Sequence, residues 1–299
     1  MTIQRSAIPA YAKTLPLDRL MAPEIDPSCH YLGHGDDTVA FILTLDSINF
    51  GSGYFPHLRK RPGMSGYFTV ASSLTDHFRK RGPVPTEELI RISASDCGRI
   101  FNQDEAGPAG ELMSLFARAL NDLGSHVGER FSGNFAGLVE SAGRSAARLI
   151  EELSGMPFFR DVQEYQALKV PFYKRAQLTA GDLSLAFNGK GPGEFHDIDR
   201  LTVFADNLVP HVLRVDGLLV YDEQLASRID SGELIVAGSD EEIEIRACAL
   251  HAVEMIADEL RRSGLNATAS RLDYLLWNRG QQPFYKQAKP RHRTRTVFY

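Results

Sequence analysis

The middle of this chain carries the sequence Glu-Leu-Met-Ser-Leu-Phe-Ala-Arg-Ala-Leu-Asn-Asp-Leu at residues 111–123. Its apolar side chains recur every three or four positions, at Leu112, Leu115, Phe116, Ala119 and Leu123. This is the spacing of one face of an amphipathic α-helix, and it also runs through residues 135–153. The sequence therefore predicts a mainly α fold with few short strands.

Further helices are predicted on both sides of this region. Residues 172–187 read as a helix that a glycine-rich turn at 188–193 closes. Ser239 followed by Glu242 fits a capping box, which opens a long helix over 241–262. Residues 270–277 are predicted to form the last helix, ahead of a basic tail that proline interrupts.

The N-terminal part is predicted to form a long arm and one buried helix. Residues 1–35 contain several prolines, so we expect an irregular arm with one short helix. Residues 39–50 are apolar enough for a buried helix, on which Asp46, Asn49 and Phe50 would share a face. Residues 36–299 are then expected to form a single helical catalytic domain, which two intertwined subdomains would also fit.

Composition excludes several classes of protein. The net charge of −5 over 299 residues argues against a nucleic-acid-binding protein, which usually needs a basic surface. Three cysteines without a close pair indicate a reducing compartment. We find no apolar run of membrane-spanning length and no signal peptide, so a cytoplasmic protein is expected. The sequence suggests neither a metal site nor a cofactor.

Two charges stand inside apolar runs. Lys174 follows Phe172-Tyr173, and Asp206 lies between Val-Phe-Ala and Asn-Leu-Val-Pro. A buried charge needs either a partner or a catalytic task. A helix cap or a structural ion pair would explain Asp206 equally well. We predict that these two side chains meet, because a carboxylate beside a cation can stabilise a positively charged sugar transition state.

Several blocks in the same order and spacing resemble the queuosine salvage proteins. These blocks are Leu45–Phe50, Phe172–Gln177, Phe204–Asp206 with Pro210, Glu242–Cys248 and the ending His292–Tyr299. The resemblance runs from about residue 38 to the C-terminus. It implies a queuosine 5′-phosphate N-glycosylase/hydrolase, whose fold is similar to that of the helical DNA glycosylases. The small-molecule nucleotide would be cleaved at the bond between ribose and base, releasing queuine for tRNA modification.

The resemblance also implies roles for individual residues. Asp206 would stabilise the oxocarbenium-like state, and either attack C1′ or activate water. Lys174 would bind phosphate or ribose, tune Asp206, or form a Schiff base. The candidate substrate-binding residues would stack on the base, contact its ammonium and diol, or hold the 5′-phosphate. They are Asp46, Asn49, Phe50, Tyr173, His211, Glu244, His292, Arg293 and Arg295.

Two other functions stay open at this point. A DNA base glycosylase on the same scaffold would bind duplex DNA with a steep salt dependence. A noncatalytic nucleotide-binding protein would bind the nucleotide without consuming it. The oligomeric state is unknown.

Overall fold

The computed structural model describes residues 1–16, 18 and 24–299, and most of them lie in α-helices. This confirms the prediction of a mainly α protein. The helices are α1 (Ile8–Ala12), α2 (Asp36–Ser47), α3 (Gly66–Arg81), α4 (Thr86–Leu89), α5 (Ala94–Phe101), α6 (Gly107–Phe131), α7 (Phe135–Ser141), α8 (Ala146–Ser154), α9 (Lys174–Ala186), α10 (Leu208–Val215), α11 (Glu223–Asp230), α12 (Asp240–Arg262), α13 (Ala269–Gly280) and α14 (Pro283–Ala288).

The strands are short and pair in two small antiparallel sheets. Strand β1 (Thr2–Ile3) pairs with β4 (Leu219–Val220), and β2 (Val162–Tyr165) pairs with β3 (Leu168–Pro171). The first pairing ties the N-terminal arm to the second half of the chain. Part of that arm, residues 17 and 19–23, lies outside the described residues.

Buried apolar side chains form two large clusters. The first contains the fully apolar face of α2 together with the inner faces of α3 and α6–α9. The second joins α1 to α10, α12 and α13. Helix α9, which begins at Lys174, packs in the first cluster, and α10, which follows Asp206, packs in the second. That residues 36–299 act as one catalytic domain stays a prediction.

Several predicted helix boundaries are wrong. Helix α2 ends at Ser47, so Asn49 and Phe50 follow the helix instead of sharing its face with Asp46. The chain turns there because Gly51 adopts a φ of 97°. Residues 135–153 form two helices, since Gly143 and Arg144 both have positive φ and break the helical path.

The start of α12 agrees in part with the predicted capping box. Ser239 Oγ accepts a hydrogen bond from the Glu242 backbone N–H at 3.3 Å. A capping box would also have the Ser239 N–H donate to the Glu242 side chain. Here Glu242 Oε2 accepts instead from the backbone N–H of Gly238. The helix begins at Asp240, one residue earlier than predicted.

The C-terminal tail crosses both halves of the molecule. Contrary to prediction, a further helix, α14, follows α13. Residues 291–299 then run extended past Leu234, which bridges Arg293, and reach Gly51, whose N–H donates to the Tyr299 carbonyl at 2.9 Å. In the described ranges, no helix combines the length and apolar character that crossing a bilayer requires.

Candidate active site

A cavity of about 540 Å³ opens where the two hydrophobic clusters meet. Its walls come from the segment after α2, the start of α3, the inner face of α9, the loop before α10, and α13 with the tail. This volume suits a mononucleotide-sized ligand. Both Lys174 and Asp206 line it.

Lys174 is a buried cation without an ion pair. Its side chain is the first of a stripe on α9, followed by Leu178 and Asp182 at i+4 and i+8, and all three line the cavity. Lys174 Nζ donates to the carbonyl of Asn49 at 3.4 Å, and the described part of the chain offers it no carboxylate at ion-pair distance. Burial lowers the pKa of Lys174, while the negative charge of Asp206 opposes that effect.

Asp206 is anchored through one oxygen only. Its Oδ1 accepts hydrogen bonds from the N–H groups of Leu208 at 2.8 Å and Val209 at 3.1 Å, so it caps the start of α10. Among residues 1–16, 18 and 24–299, no donor reaches Oδ2. The helix N-terminus stabilises the negative charge, and the second oxygen remains available to a ligand in the cavity.

More carboxyl groups surround Lys174 than the sequence suggested. Asp182 accepts a hydrogen bond from the Tyr274 hydroxyl at 2.7 Å, and burial raises its pKa to about 6. Asp273 accepts from the backbone N–H of Phe204 at 3.0 Å, and burial raises its pKa well above the usual value. Asp182 could have been predicted from the sequence, because it follows Lys174 by eight positions and so lies on the same face of α9. Asp273 sits in an amphipathic helix of ordinary appearance, and no pattern marked it.

Asp46 lies behind the cavity wall. Asn49 Nδ2 donates to its Oδ1 at 3.4 Å, and Oδ2 is buried with no hydrogen-bond partner in the described residues. Complete burial, reinforced by the charge of Asp182, raises the pKa of Asp46 well above its usual value. These effects favour a neutral carboxylic acid at this position.

Aromatic side chains form one wall of the cavity. Tyr67 and Phe68, at the start of α3, pack edge-on against Trp277 of α13, with ring centroids 5.5 and 5.8 Å apart. His30 Nδ1 contacts the Asp26 carbonyl at 2.7 Å and Nε2 contacts the Tyr67 hydroxyl at 2.9 Å. With Nδ1–H donating to the carbonyl, the imidazole accepts from the phenol and holds the Tyr67 ring in place.

Of the two residues predicted to stack on a base, Phe50 lines the cavity and Tyr173 does not. Phe50 lines the cavity, yet it is only 1% exposed and packs on Phe116 with centroids 5.2 Å apart. Tyr173 adopts a φ of 46° before α9 and lines a separate surface depression with Arg160 and Lys169. Tyr173 lies outside the lining of the main cavity and is therefore not placed to stack on a base there.

Positive charge at the cavity mouth comes from the first part of the basic tail, where the sequence shows a cluster of cations, and from Lys60, which the sequence did not single out. Lys60, Lys286, Lys289 and Arg291 all line the cavity. In the described chain, none of their side chains forms an ion pair or hydrogen bond. Burial and the charges of Arg291 and Lys286 lower the pKa of Lys60, which places these cations near one another. Such a cluster suits the binding of an anionic group.

The predicted phosphate cluster is not assembled. Arg293 donates to the Gly232 carbonyl at 2.7 Å, and Arg295 lies over the Tyr54 ring near Glu111. His292 is fully buried, and burial lowers its pKa to about 3. Of the extended tail, Arg291 and Tyr299 line the cavity, whereas His292, Arg293 and Arg295 between them contact other surfaces.

Of the two remaining predicted residues, one lines the cavity and the other does not. His211 lines the cavity, and its Nε2 contacts the Tyr285 carbonyl at 2.8 Å, which supports α14 and its lysines. Glu244 faces away from the cavity, where it accepts a hydrogen bond from the Tyr165 hydroxyl at 2.7 Å. Its position on α12, two residues from the buried Arg246, puts it on the outer face of the helix.

Comparison with known proteins gives a consistent result. A family model described as queuosine salvage protein matches residues 29–299. The queuosine 5′-phosphate N-glycosylase/hydrolase of Sphaerobacter thermophilus is 35% identical over 99% of this chain and 92% of its own length. The proteins of the same name from Mus musculus and Dictyostelium discoideum are 33% and 30% identical, over 79% and 88% of this chain and 72% and 78% of theirs.

Proposed function

Because this chain belongs to the queuosine salvage protein family, we propose that it hydrolyses the N-glycosidic bond of queuosine 5′-phosphate and releases queuine. The observation that carries the proposal is Asp206, whose free Oδ2 lines a cavity between an aromatic wall and a cationic mouth. Family membership supports the substrate, and the cavity offers a place for each of its parts.

The carboxylate of Asp206 is the catalytic group in this proposal. Cleavage of a glycosidic bond passes through a state with positive charge at C1′ and the ring oxygen. A preorganised carboxylate stabilises that charge strongly, and the amides at the start of α10 hold Asp206 in place before the substrate arrives. Lys174 lines the same cavity, and its side chain and the Asp206 carboxylate interact electrostatically.

The three parts of the substrate match three parts of the cavity. The flat base stacks against the wall formed by Tyr67, Phe68 and Trp277. The secondary ammonium of queuine is compensated by the buried carboxyls around Lys174, among which Asp182 titrates near neutrality. The 5′-phosphate binds the unpaired cations at the mouth, Arg291 foremost, in charge-assisted hydrogen bonds.

The biological setting follows from the product. Released queuine returns to tRNA modification, and the free nucleotide is the substrate, with no stable nucleic-acid partner. We propose a cytoplasmic site of action, in keeping with the unpaired cysteines.

The test is incubation of the purified protein with queuosine 5′-phosphate, followed by chromatography and mass spectrometry for queuine and ribose 5-phosphate. We expect both products in equal amounts. Binding of the nucleotide without release of queuine would refute the hydrolase and leave a nucleotide-binding protein. The free nucleoside, run in parallel, measures how much the phosphate contributes.

A further inference from the structure

An ion pair lies buried behind the cavity. Arg246 of α12 and Asp161, just before β2, have side chains only 1% and 2% exposed. Arg246 Nη1 donates to Asp161 Oδ1 at 3.1 Å, and Nη2 donates to Oδ2. The guanidinium lies 3.9 Å from the ring centroid of Phe172 and 4.8 Å from that of Tyr299. Since a buried ion pair contributes little net stability compared with apolar residues, its presence points to another role.

Asp161 holds the start of α9. Its Oδ2 accepts a hydrogen bond from the Lys174 N–H at 3.3 Å, and its backbone carbonyl accepts from Phe172 and Tyr173 at 2.9 and 3.1 Å. Tyr173 supplies no side-chain cap to this helix. The first N–H groups of a helix need partners, and Asp161 provides one for the first N–H of α9 while its carbonyl holds the two residues before the helix. The position of Lys174 therefore depends on that of Asp161.

Arg246 holds the other candidate catalytic residue. Its Nε donates to the Ala205 carbonyl at 2.9 Å, directly before Asp206. The loop before α10 is thereby tied to the same guanidinium that pairs with Asp161. A continuous path of hydrogen bonds runs from the backbone of Lys174 through Asp161 and Arg246 to the backbone next to Asp206.

We infer that the Asp161–Arg246 ion pair is a positioning unit that sets the separation between the Lys174 ammonium and the Asp206 carboxylate. This inference rests on the proposed function. Neither member of the pair lines the cavity, so both act through the residues they hold. A displacement of about 1 Å at a reacting group costs on the order of 100-fold in rate, which is the effect we expect when the unit is removed.

The experiment compares Asp161→Leu, Arg246→Met and the double variant by steady-state kinetics and thermal unfolding. Arg246 Nη1 also lies 3.5 Å from Oε1 of the buried Glu242. Asp161→Leu therefore leaves Arg246 with Glu242 alone, whereas Arg246→Met leaves two carboxylates buried without their cation, so Tm should fall in both and most in Arg246→Met. The double variant leaves only Glu242 of this network and should regain part of the Tm that Arg246→Met loses. We expect kcat to be about 100-fold lower in all three, with KM changed less than about threefold, because the substrate-contacting residues are retained.

Asp197→Asn is the matched control. Like Asp161, Asp197 caps a distant helix, accepting from the N–H groups of Ala146 at 2.6 Å and Ala147 at 3.2 Å. Helix α8, which it caps, contributes no residue to the cavity. This variant should lose stability and keep a kcat within about twofold of wild type.

A double variant that is folded and turns over at the wild-type rate would overturn the inference, because the pair would then serve stability alone. Arg246→Lys provides a second test: it keeps the positive charge beside Asp161 but lacks the fork that reaches Ala205 at the same time. We expect kcat to fall, and wild-type turnover would again overturn the inference. Absence of queuine release by the wild-type protein would instead refute the proposed function.

Discussion

Replacing Asp206 with Asn separates the structural role of this residue from its catalytic role. The structure shows that Oδ1 accepts both backbone hydrogen bonds, from Leu208 and Val209. An Asn side chain keeps an acceptor oxygen at that place, so the cap of α10 survives. Only the favourable interaction of the charge with the helix N-terminus is lost, which costs about 0.3–1 kcal/mol. We expect a folded protein with a slightly lower Tm.

The loss in rate should be much larger than the loss in stability. A carboxylate about 4 Å from a unit positive charge stabilises it by about 4 kcal/mol at an effective dielectric constant of about 20. Removal of one preorganised group of this kind typically costs on the order of 10²–10³ in kcat, or about 2.7–4 kcal/mol. The electrostatic stabilisation of about 4 kcal/mol thus agrees with the loss of about 2.7–4 kcal/mol expected from the substitution.

The assay is single-turnover release of queuine, with enzyme in excess so that product release does not limit the rate. Asp222→Asn is the control, because Asp222 Oδ1 accepts from the Leu225 N–H at 2.9 Å at the start of α11, outside the cavity. That variant should show a similar small loss of stability and no loss of rate. If Asp206→Asn cleaves the substrate as fast as wild type, the positive charge is stabilised by another group and the reasoning fails.

Three further changes test other parts of the structure. Arg291→Ala should lower kcat/KM for queuosine 5′-phosphate by about tenfold or more and leave kcat/KM for the free nucleoside unchanged. Arg293→Ala should change kcat/KM for neither substrate. If the two variants had equal effects, the assignment of the phosphate site would be wrong. Asp182, whose pKa is raised from 3.8 to about 6, binds more protons in the folded state, so stability should fall as pH rises through that window. Urea unfolding at several pH values should show that the free energy of unfolding falls less with rising pH in Asp182→Asn than in wild type. An equal fall in both proteins would refute this prediction. In Gly53→Ala the new Cβ would lie 2.3 Å from the Thr294 carbonyl oxygen. We therefore expect the free energy of unfolding, measured in urea, to fall by about 1–3 kcal/mol. Wild-type stability would show instead that the tail moves aside without cost.

The sequence predicted the helices better than their ends. The apolar spacing of residues 111–123 lies within α6, and the segment 172–187 corresponds to α9. The break at Gly143 was missed because apolar residues continue at helical spacing across it, while the backbone of Gly143 and Arg144 turns with positive φ. Local periodicity does not report such turns, which the packing of the following helix imposes.

The candidate site was predictable only where a charge stood out locally. Lys174 and Asp206 were conspicuous within apolar runs, and the structure brings both to one cavity. The basic tail was conspicuous as well, but the sequence did not indicate which of its cations face the cavity, and Lys60, far away in the sequence, looks like an ordinary surface residue. Arg291 and Arg293 stand only two positions apart, yet Arg291 lines the cavity and Arg293 donates to the Gly232 carbonyl. Only the path of the chain decides which of them faces the cavity.

The crossing tail has a consequence for the order in which the protein folds. Residues 291–299 complete the cavity by contacts with Gly51, Gly53 and Leu234, partners that lie between about 60 and 250 positions earlier in the chain. Contacts of such long range form late, because the loop between them must first lose its conformational freedom. A chain synthesised only to residue 290 already contains both hydrophobic clusters but lacks Arg291 and Tyr299 in the cavity wall. The helical body can therefore form before the tail docks, while the cavity wall is complete only when residues 291–299 are in place.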